Sequence, residues 1–279
     1  MKILIYGSKG YIGSILHKYL LKNKNINIIE SQYTKIETRE QVMDDIKILK
    51  PDRIVSAIGF VKKKDCLSTT FLNDDSYLVP NLQNNLYIHN VIMNICLLYN
   101  VHFTYIGTGC IFTSKNERIF HENDKPNFFN SKYSIIKGFT DKLMSLNKDK
   151  VLIVRIRQCL NTDNSPQNFL KKFLTFERVS DIQNSFTVVP SIFPIISSLI
   201  IEKNTGVFNC VNKGSISVKE INDIFNRKNI ILGNRETMYE KYSNNILSTK
   251  NLEENFYVEN IRDAVLKLKY LFEEERGIY

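Results

Sequence analysis

Ile3-Leu4-Ile5-Tyr6-Gly7-Ser8-Lys9-Gly10-Tyr11-Ile12-Gly13 is an apolar run closed by a glycine turn. Four such residues in a row suit a parallel strand buried on both faces. Behind the turn, Ile15, Leu16, Tyr19, Leu20 and Leu21 recur at helical spacing. Strand, glycine turn and helix together give G-x-x-G-x-x-G its meaning. The glycines permit a tight turn and a close backbone approach to a pyrophosphate, and the helix N-terminus supplies N–H groups and a positive dipole end. Gly7, Lys9, Gly10, Tyr11, Ile12 and Gly13 are therefore expected to bind a dinucleotide; an ordinary strand–helix turn is the plainer alternative.

The same alternation continues outward. Ile26–Ile29 reads as a second strand, ending at Glu30, where an acid would hold an adenosine ribose. Ser31 and Lys35 lie just beyond and could grip a 2′-phosphate. NADPH is therefore expected, with NADH the alternative that Glu30 favours. A helix over Arg39–Leu49 stops before Pro51. A third strand, Arg53–Ile58, leads through Ala57 and Ile58 to Gly59, and these three are expected beside the cofactor. Leu86, Ile88, Val91, Ile92, Ile95 and Leu98 mark a buried helix, on which His89 reads as a packing residue.

Val101–Ile106 is the fourth strand and delivers Thr108 and Cys110 to its carboxyl end, the edge at which open α/β sheets bind ligands. Asn130 or Ser131 can cap the next helix. Its Tyr133 and Lys137, four residues apart, share one face. A phenol titrates near ~10 unperturbed, and a neighbouring ammonium brings it toward neutrality. Tyr133 can thus exchange a proton with a carbonyl oxygen that Thr108 also holds, while Lys137 bonds a ribose. After the strand Val151–Ile156 the regular alternation loosens, with Pro166, Pro190 and Pro194 among short elements. A strand at Val207–Val211, a capping box at Ser217/Glu220 and a final amphipathic helix over about 260–275 follow. The expected class is α/β: a Rossmann-like, doubly wound parallel sheet spanning mainly 1–157, with a smaller interleaved substrate-binding portion in mainly 158–279.

With 43% hydrophobic residues among 279, the chain can bury a substantial core. The formal charge of +9 invites nucleic acid as partner. The lysines are scattered, however, and only Lys62-Lys63-Lys64 forms a run, so a solvated basic surface is expected and no nucleic acid. Five cysteines (Cys66, Cys96, Cys110, Cys159, Cys210) without a C-x-x-C pair fit free thiols in a reducing compartment. The start of the sequence has no signal-peptide pattern, and the apolar stretch Phe186–Ile201 is too short and proline-interrupted to span a membrane. A cytoplasmic location is expected. His17, His102 and His121 are isolated, and no metal-ligand spacing emerges.

Ile5-Tyr6-Gly7…Gly10…Ile12-Gly13, Thr108-Gly109-Cys110-Ile111-Phe112, Asp124-Lys125-Pro126-Asn127-Phe128, Tyr133…Lys137, Asn168-Phe169, Asn184-Ser185-Phe186-Thr187-Val188 and Ser243-Asn244-Asn245 carry a resemblance over nearly the whole chain. The sequence resembles the extended short-chain dehydrogenase/reductases, and within them the bifunctional 3,5-epimerase/4-reductases of UDP-L-rhamnose synthesis. The resemblance implies UDP-4-keto-6-deoxyglucose as substrate, Cys110 and Lys172 as the acid–base pair of epimerisation, and Asn85 as the active-site Asn. It further implies Thr108, Gly109, Cys110, Tyr133, Asn168 and Lys172 as substrate contacts, and a homodimer. The chain departs from the family pattern at Cys159, Pro190 and Tyr242. A plain 4-reductase acting on an already epimerised sugar needs no Cys110, which would then be a buried small hydrophobe. A regulatory subunit that has lost the chemistry would need none of Thr108, Tyr133 and Lys137.

Overall fold

The computed structural model describes residues 1–60, 73–227, 231–275 and 277. The lysine run at 62–64 and Cys66 lie outside the described residues. In chain order the elements begin β1 (Lys2–Tyr6), α1 (Tyr11–Leu20), β2 (Asn27–Ile29), α2 (Arg39–Leu49), β3 (Arg53–Ser56), α3 (Leu78–Leu82), α4 (Ile88–Leu98) and β4 (His102–Thr108). They continue with β5 (Ile119–Phe120), α5 (Lys132–Ser145), β6 (Val151–Ile156), β7 (Cys159–Leu160), α6 (Phe169–Thr175), β8 (Arg178–Val179), β9 (Thr187–Val188) and α7 (Val189–Ile201). The chain closes with β10 (Gly206–Asn209), α8 (Val218–Ile224), β11 (Ile231–Leu232), α9 (Arg235–Lys241), β12 (Ile246–Leu247), α10 (Lys250–Glu253) and α11 (Ile261–Glu274).

Two compact units share these elements. The first comprises Met1–Gly107, Ser131–Val154 and Phe193–Val207; the second comprises Thr108–Asn130, Arg155–Ile192 and Phe208–Tyr279. In the first, a six-stranded sheet runs in the order β10-β6-β4-β3-β1-β2, with β2, β1, β3 and β4 pairing in parallel. Ile3, Leu4, Ile5 and Tyr6 of β1 are all buried, as a central parallel strand requires. Leu4, Ile54, Phe103 and Ile153 from the sheet pack with Val42 of α2 and Ile92 of α4 in one core.

Local chemistry sets the ends of these elements. Thr38 and Gln41 form a reciprocal capping box that starts α2, and Lys50, in the left-handed conformation, ends it before Pro51. Ser131 caps α5 by accepting from Ser134 N. The helix expected in 74–100 contains a π-helical turn at Gln83–Tyr87, between α3 and α4. Such turns insert an extra residue and cluster at functional sites.

In the second unit, Leu160, Phe173, Phe186, Ile216, Ile261, Val265 and Leu268 form one core, while Ile111, Phe112, Phe120, Val211 and Leu247 form a smaller one. The Ser217/Glu220 capping box is present. The prolines of the 186–201 stretch do not break it up: Val189–Ile201 is one helix. Pro190 lies in the first turn, where its missing N–H is no loss, whereas Pro194 removes one interior hydrogen bond. No helix among the described residues is long and apolar enough to cross a membrane.

Candidate active site

The glycine turn behind β1 is built for close backbone approach. Gly7 sits at φ +83°, and a Cβ there would lie 2.9 Å from Ala57 C and O and from Ile58 N. At Gly13 a Cβ would come within 2.1 Å of Gly7 O. Gly10 N donates to Gly7 O at 2.9 Å, closing the turn. Gly10 is also the N-cap of α1 and offers no side-chain cap, and a helix N-terminus of this kind presents a positive dipole end to an anion. Gly7, Lys9 and Gly10 are exposed, and Tyr11 and Ile12 half-buried. This cradle fits a dinucleotide pyrophosphate, with Ala57 and Ile58 packed against its glycines.

The loop after β2 is organised by Asp45. This fully buried carboxylate accepts from the Tyr6 hydroxyl at 3.1 Å, the Ser31 hydroxyl at 2.6 Å and Gln32 N at 3.1 Å. The Ser31 proton is thus committed to Asp45 and not free for a phosphate. Lys35 is exposed and ion-paired with Glu37, whose carboxyl it holds below the usual range.

On α5, Tyr133 is half-buried and Lys137 buried, one turn apart. The Lys137 ammonium lies 4.6 Å over the Tyr105 ring of β4, a cation–π contact that compensates part of its desolvation. His89 meets the same ring edge-on at 4.8 Å, with Nδ1 3.0 Å from Ser56 Oγ. Burial first and the Lys137 charge second hold His89 well below its ordinary pKa, so the imidazole is neutral. Asn85 lies in the π-turn, buried. Its amide donates to Asn81 Oδ1 at 2.8 Å and Phe60 O at 3.4 Å, and its Oδ1 is 3.6 Å from where a Gly59 Cβ would stand.

In the second unit, Thr108 Oγ1 accepts from Cys110 N at 3.1 Å and so shapes the turn after β4. The Cys110 sulfur accepts from Arg157 Nη1 at 2.9 Å. Arg157 Nη2 donates to Asn184 Oδ1 at 2.8 Å and Ser243 O at 3.0 Å. A Cβ on Gly109 would lie 2.9 Å from Arg157 Cδ and 2.6 Å from Leu247 Cδ1, so glycine is what lets the arginine pass. Asn245 braces the turn from below, donating to Gly109 O and Phe112 O, each at 2.9 Å. Sequence reasoning assigned no role to Arg157, Asn184 or Asn245. The available signal was two arginines, Arg155 within the apolar run of β6 and Arg157 directly after it, since a charge beside a buried strand needs a partner.

Lys172 is half-buried on α6, its ammonium 4.5 Å over the Phe169 ring. Asn168, expected to touch substrate, is fully buried as the N-cap of α6. Its Oδ1 accepts from Leu170 N and Asn161 N, and its Nδ2 donates to Asn161 O and Asp163 O. Both donor hydrogens and both acceptor positions are therefore engaged. Asn168 shapes the loop that presents Lys172. Among the described residues no His/Cys/Asp/Glu group could hold a metal.

A parallel sheet with a glycine cradle behind its first strand, and a tyrosine and lysine one turn apart on α5, defines a Rossmann-like reductase fold. The chain belongs to the family of the RmlD substrate binding domain, whose model matches residues 1–230. A protein of Acanthamoeba polyphaga mimivirus is 35% identical over 97% of this chain and 99% of its own length. The crystal structure of a UDP-rhamnose synthase from that virus matches with a TM-score of 0.89 at 34% identity, covering 96% of this chain and 98% of the other. A bifunctional dTDP-4-dehydrorhamnose 3,5-epimerase/dTDP-4-dehydrorhamnose reductase of Arabidopsis thaliana is 27% identical over 98% of this chain and 93% of its own. A dTDP-4-dehydrorhamnose reductase of Clostridium acetobutylicum, at 21% identity and a TM-score of 0.76, covers 98% of this chain and 100% of its own and shares the fold.

Proposed function

We propose that the chain converts UDP-4-keto-6-deoxyglucose to UDP-L-rhamnose, inverting C3 and C5 and reducing the C4 ketone with NADPH. Cys110 carries this reading. Of the described cysteines it alone is not buried, and its sulfur meets a guanidinium. The names of the mimivirus and Arabidopsis relatives support both halves of the reaction. Solved relatives of the same fold bound to NADP or NADPH support the cofactor.

The C4 ketone acidifies the hydrogens at C3 and C5, because each carbanion delocalises as an enolate. Cys110, as thiolate, accepts the proton from carbon, and the C–H electrons pass into the enolate. Lys172, as ammonium, returns a proton on the opposite face. The nicotinamide, when bound, supplies a hydride to C4. Tyr133 gives its phenolic proton to O4, Thr108 hydrogen-bonds that oxygen, and Lys137 holds the nicotinamide ribose and favours the phenolate left behind. Asn85, fixed by Asn81, orders this proton path.

Product analysis by NMR after incubation with the 4-keto sugar nucleotide and NADPH tests the reading. UDP-L-rhamnose is the expected product, with solvent deuterium at C3 and C5 that Cys110→Ala abolishes. Reduction without deuterium incorporation would leave a plain 4-reductase, and no turnover by folded, cofactor-bound protein would sink the enzyme reading. Free thiols at Cys96, Cys110, Cys159 and Cys210 support a cytoplasmic setting. A homodimer is supported by exposed Val79, Tyr87, Phe139, Leu143 and Leu146 on and around α3–α5.

A further inference from the structure

Arg157 is 1% exposed, yet it belongs to no ion pair among the described residues. A buried guanidinium is costly unless its N–H groups are matched and its charge has an anionic counterpart. Two of its contacts, Asn184 Oδ1 and Ser243 O, are neutral, and Nε has no partner. The remaining contact, at 2.9 Å, is the Cys110 sulfur. A thiolate is the only anion these neighbours can provide. The surroundings are consistent with that assignment. Gly109 lacks the Cβ that would strike the Arg157 side chain, Thr187 Oγ1 accepts from Arg157 N at 2.9 Å, and Asn184 aims the fork.

We infer that Arg157 is the positioning residue of the epimerase half-reaction: it orients the Cys110 sulfur and is the counter-charge of its thiolate. The inference rests on the proposed role of Cys110 as the carbon base. Among the described residues, the groups facing the sulfur are Arg157, directly after β6, and Cys159 from β7, whose thiol interacts electrostatically with Cys110. Burial raises the Cys159 thiol, so it is uncharged near neutral pH and leaves Arg157 as the determinant. As Cys110 takes the carbon-bound proton its negative charge moves to the enolate; when the thiol then gives that proton to solvent water, the guanidinium recovers its partner.

Alkylation of Cys110 by iodoacetamide, followed by mass spectrometry of its peptide across about pH 6–9, tests this without substrate or cofactor. Arg157→Gln is expected to slow alkylation at neutral pH by about tenfold. Arg157→Lys, which restores the charge but not the fork to Asn184 and Ser243, is expected to recover most of the loss. Asn184→Ala, which keeps the guanidinium but removes the acceptor that aims it, is expected to give an intermediate slowing and serves if Arg157→Gln does not fold. An unchanged profile in Arg157→Gln, or equal losses in the Gln and Lys variants, would overturn the inference. A shifted profile together with no deuterium at C3 or C5 in the wild type would instead leave the arginine–sulfur pair standing and reject the epimerase reading.

Discussion

The Thr140 hydroxyl donates to the Asn85 carbonyl at 2.6 Å, so one hydrogen bond from α5 satisfies a backbone group of the π-turn. Thr140 lies three residues after Lys137, and Asn85 is the residue proposed to order the proton path. Both groups are buried, so removing the donor strands a desolvated carbonyl. Thr140→Val, nearly isosteric, is expected to destabilise the protein by about 1–3 kcal/mol and to lower turnover more than it raises the KM for NADPH. Urea unfolding and steady-state kinetics on one preparation check both.

His89 makes stability depend on pH. Its folded pKa lies well below the unfolded value near 6.5, because burial and Lys137 both oppose its protonation. Below about pH 6.5 the unfolded chain binds a proton that the native imidazole refuses, so stability is lost as pH falls. Between pH 7.5 and 5.5 this site costs on the order of 1 kcal/mol. Thermal unfolding across that range should fall more steeply in the wild type than in His89→Asn; parallel curves would remove His89 as the cause.

Gly13→Ala brings a Cβ to within 2.1 Å of Gly7 O, a backbone atom that no rotamer change can clear. The cradle must open, and calorimetric titration should find NADPH binding lost or weakened by at least about 100-fold, in line with a forced backbone displacement.

The Lys35 ammonium is ion-paired with Glu37. If Lys35 meets the 2′-phosphate, Lys35→Ala should raise KM for NADPH about tenfold, roughly one charge-assisted contact, and leave NADH nearly unaffected. Glu37→Gln frees the ammonium and should act in the opposite direction. Equal effects on both cofactors would separate Lys35 from selectivity.

Phe139, Leu143 and Leu146 of the α5 segment are exposed. Phe139→Asp should convert a dimer to a monomer in light scattering without altering the circular dichroism spectrum. A monomeric wild type would leave these residues as ordinary surface.

Where the physics is local, the sequence speaks plainly. Four consecutive apolar residues define β1, and Ser217/Glu220 announces a helix start. Local pattern misled at Pro190 and Pro194, because tertiary burial of Ile192, Phe193 and Ile196 holds α7 together through the lost hydrogen bond. The π-turn left no trace, since an extra residue in a helix alters no composition. Asn168 was expected as a substrate contact through the family resemblance, and sequence alone does not show that its amide is engaged by four partners in its own loop. Arg157 was hidden for the opposite reason: its partners Cys110, Asn184 and Ser243 are 47, 27 and 86 residues away.

Each compact unit is assembled from three separate stretches, and the first acquires its last stretch only at Phe193–Val207. On the ribosome, the glycine cradle emerges more than half a chain before the edge strand that completes its sheet. No single cut therefore excises either unit intact, and a split-protein version would have to be rejoined at several breaks at once. Mutations that slow synthesis between the cradle and β10 would lengthen the time for which an unfinished parallel sheet edge is open to pairing with another copy.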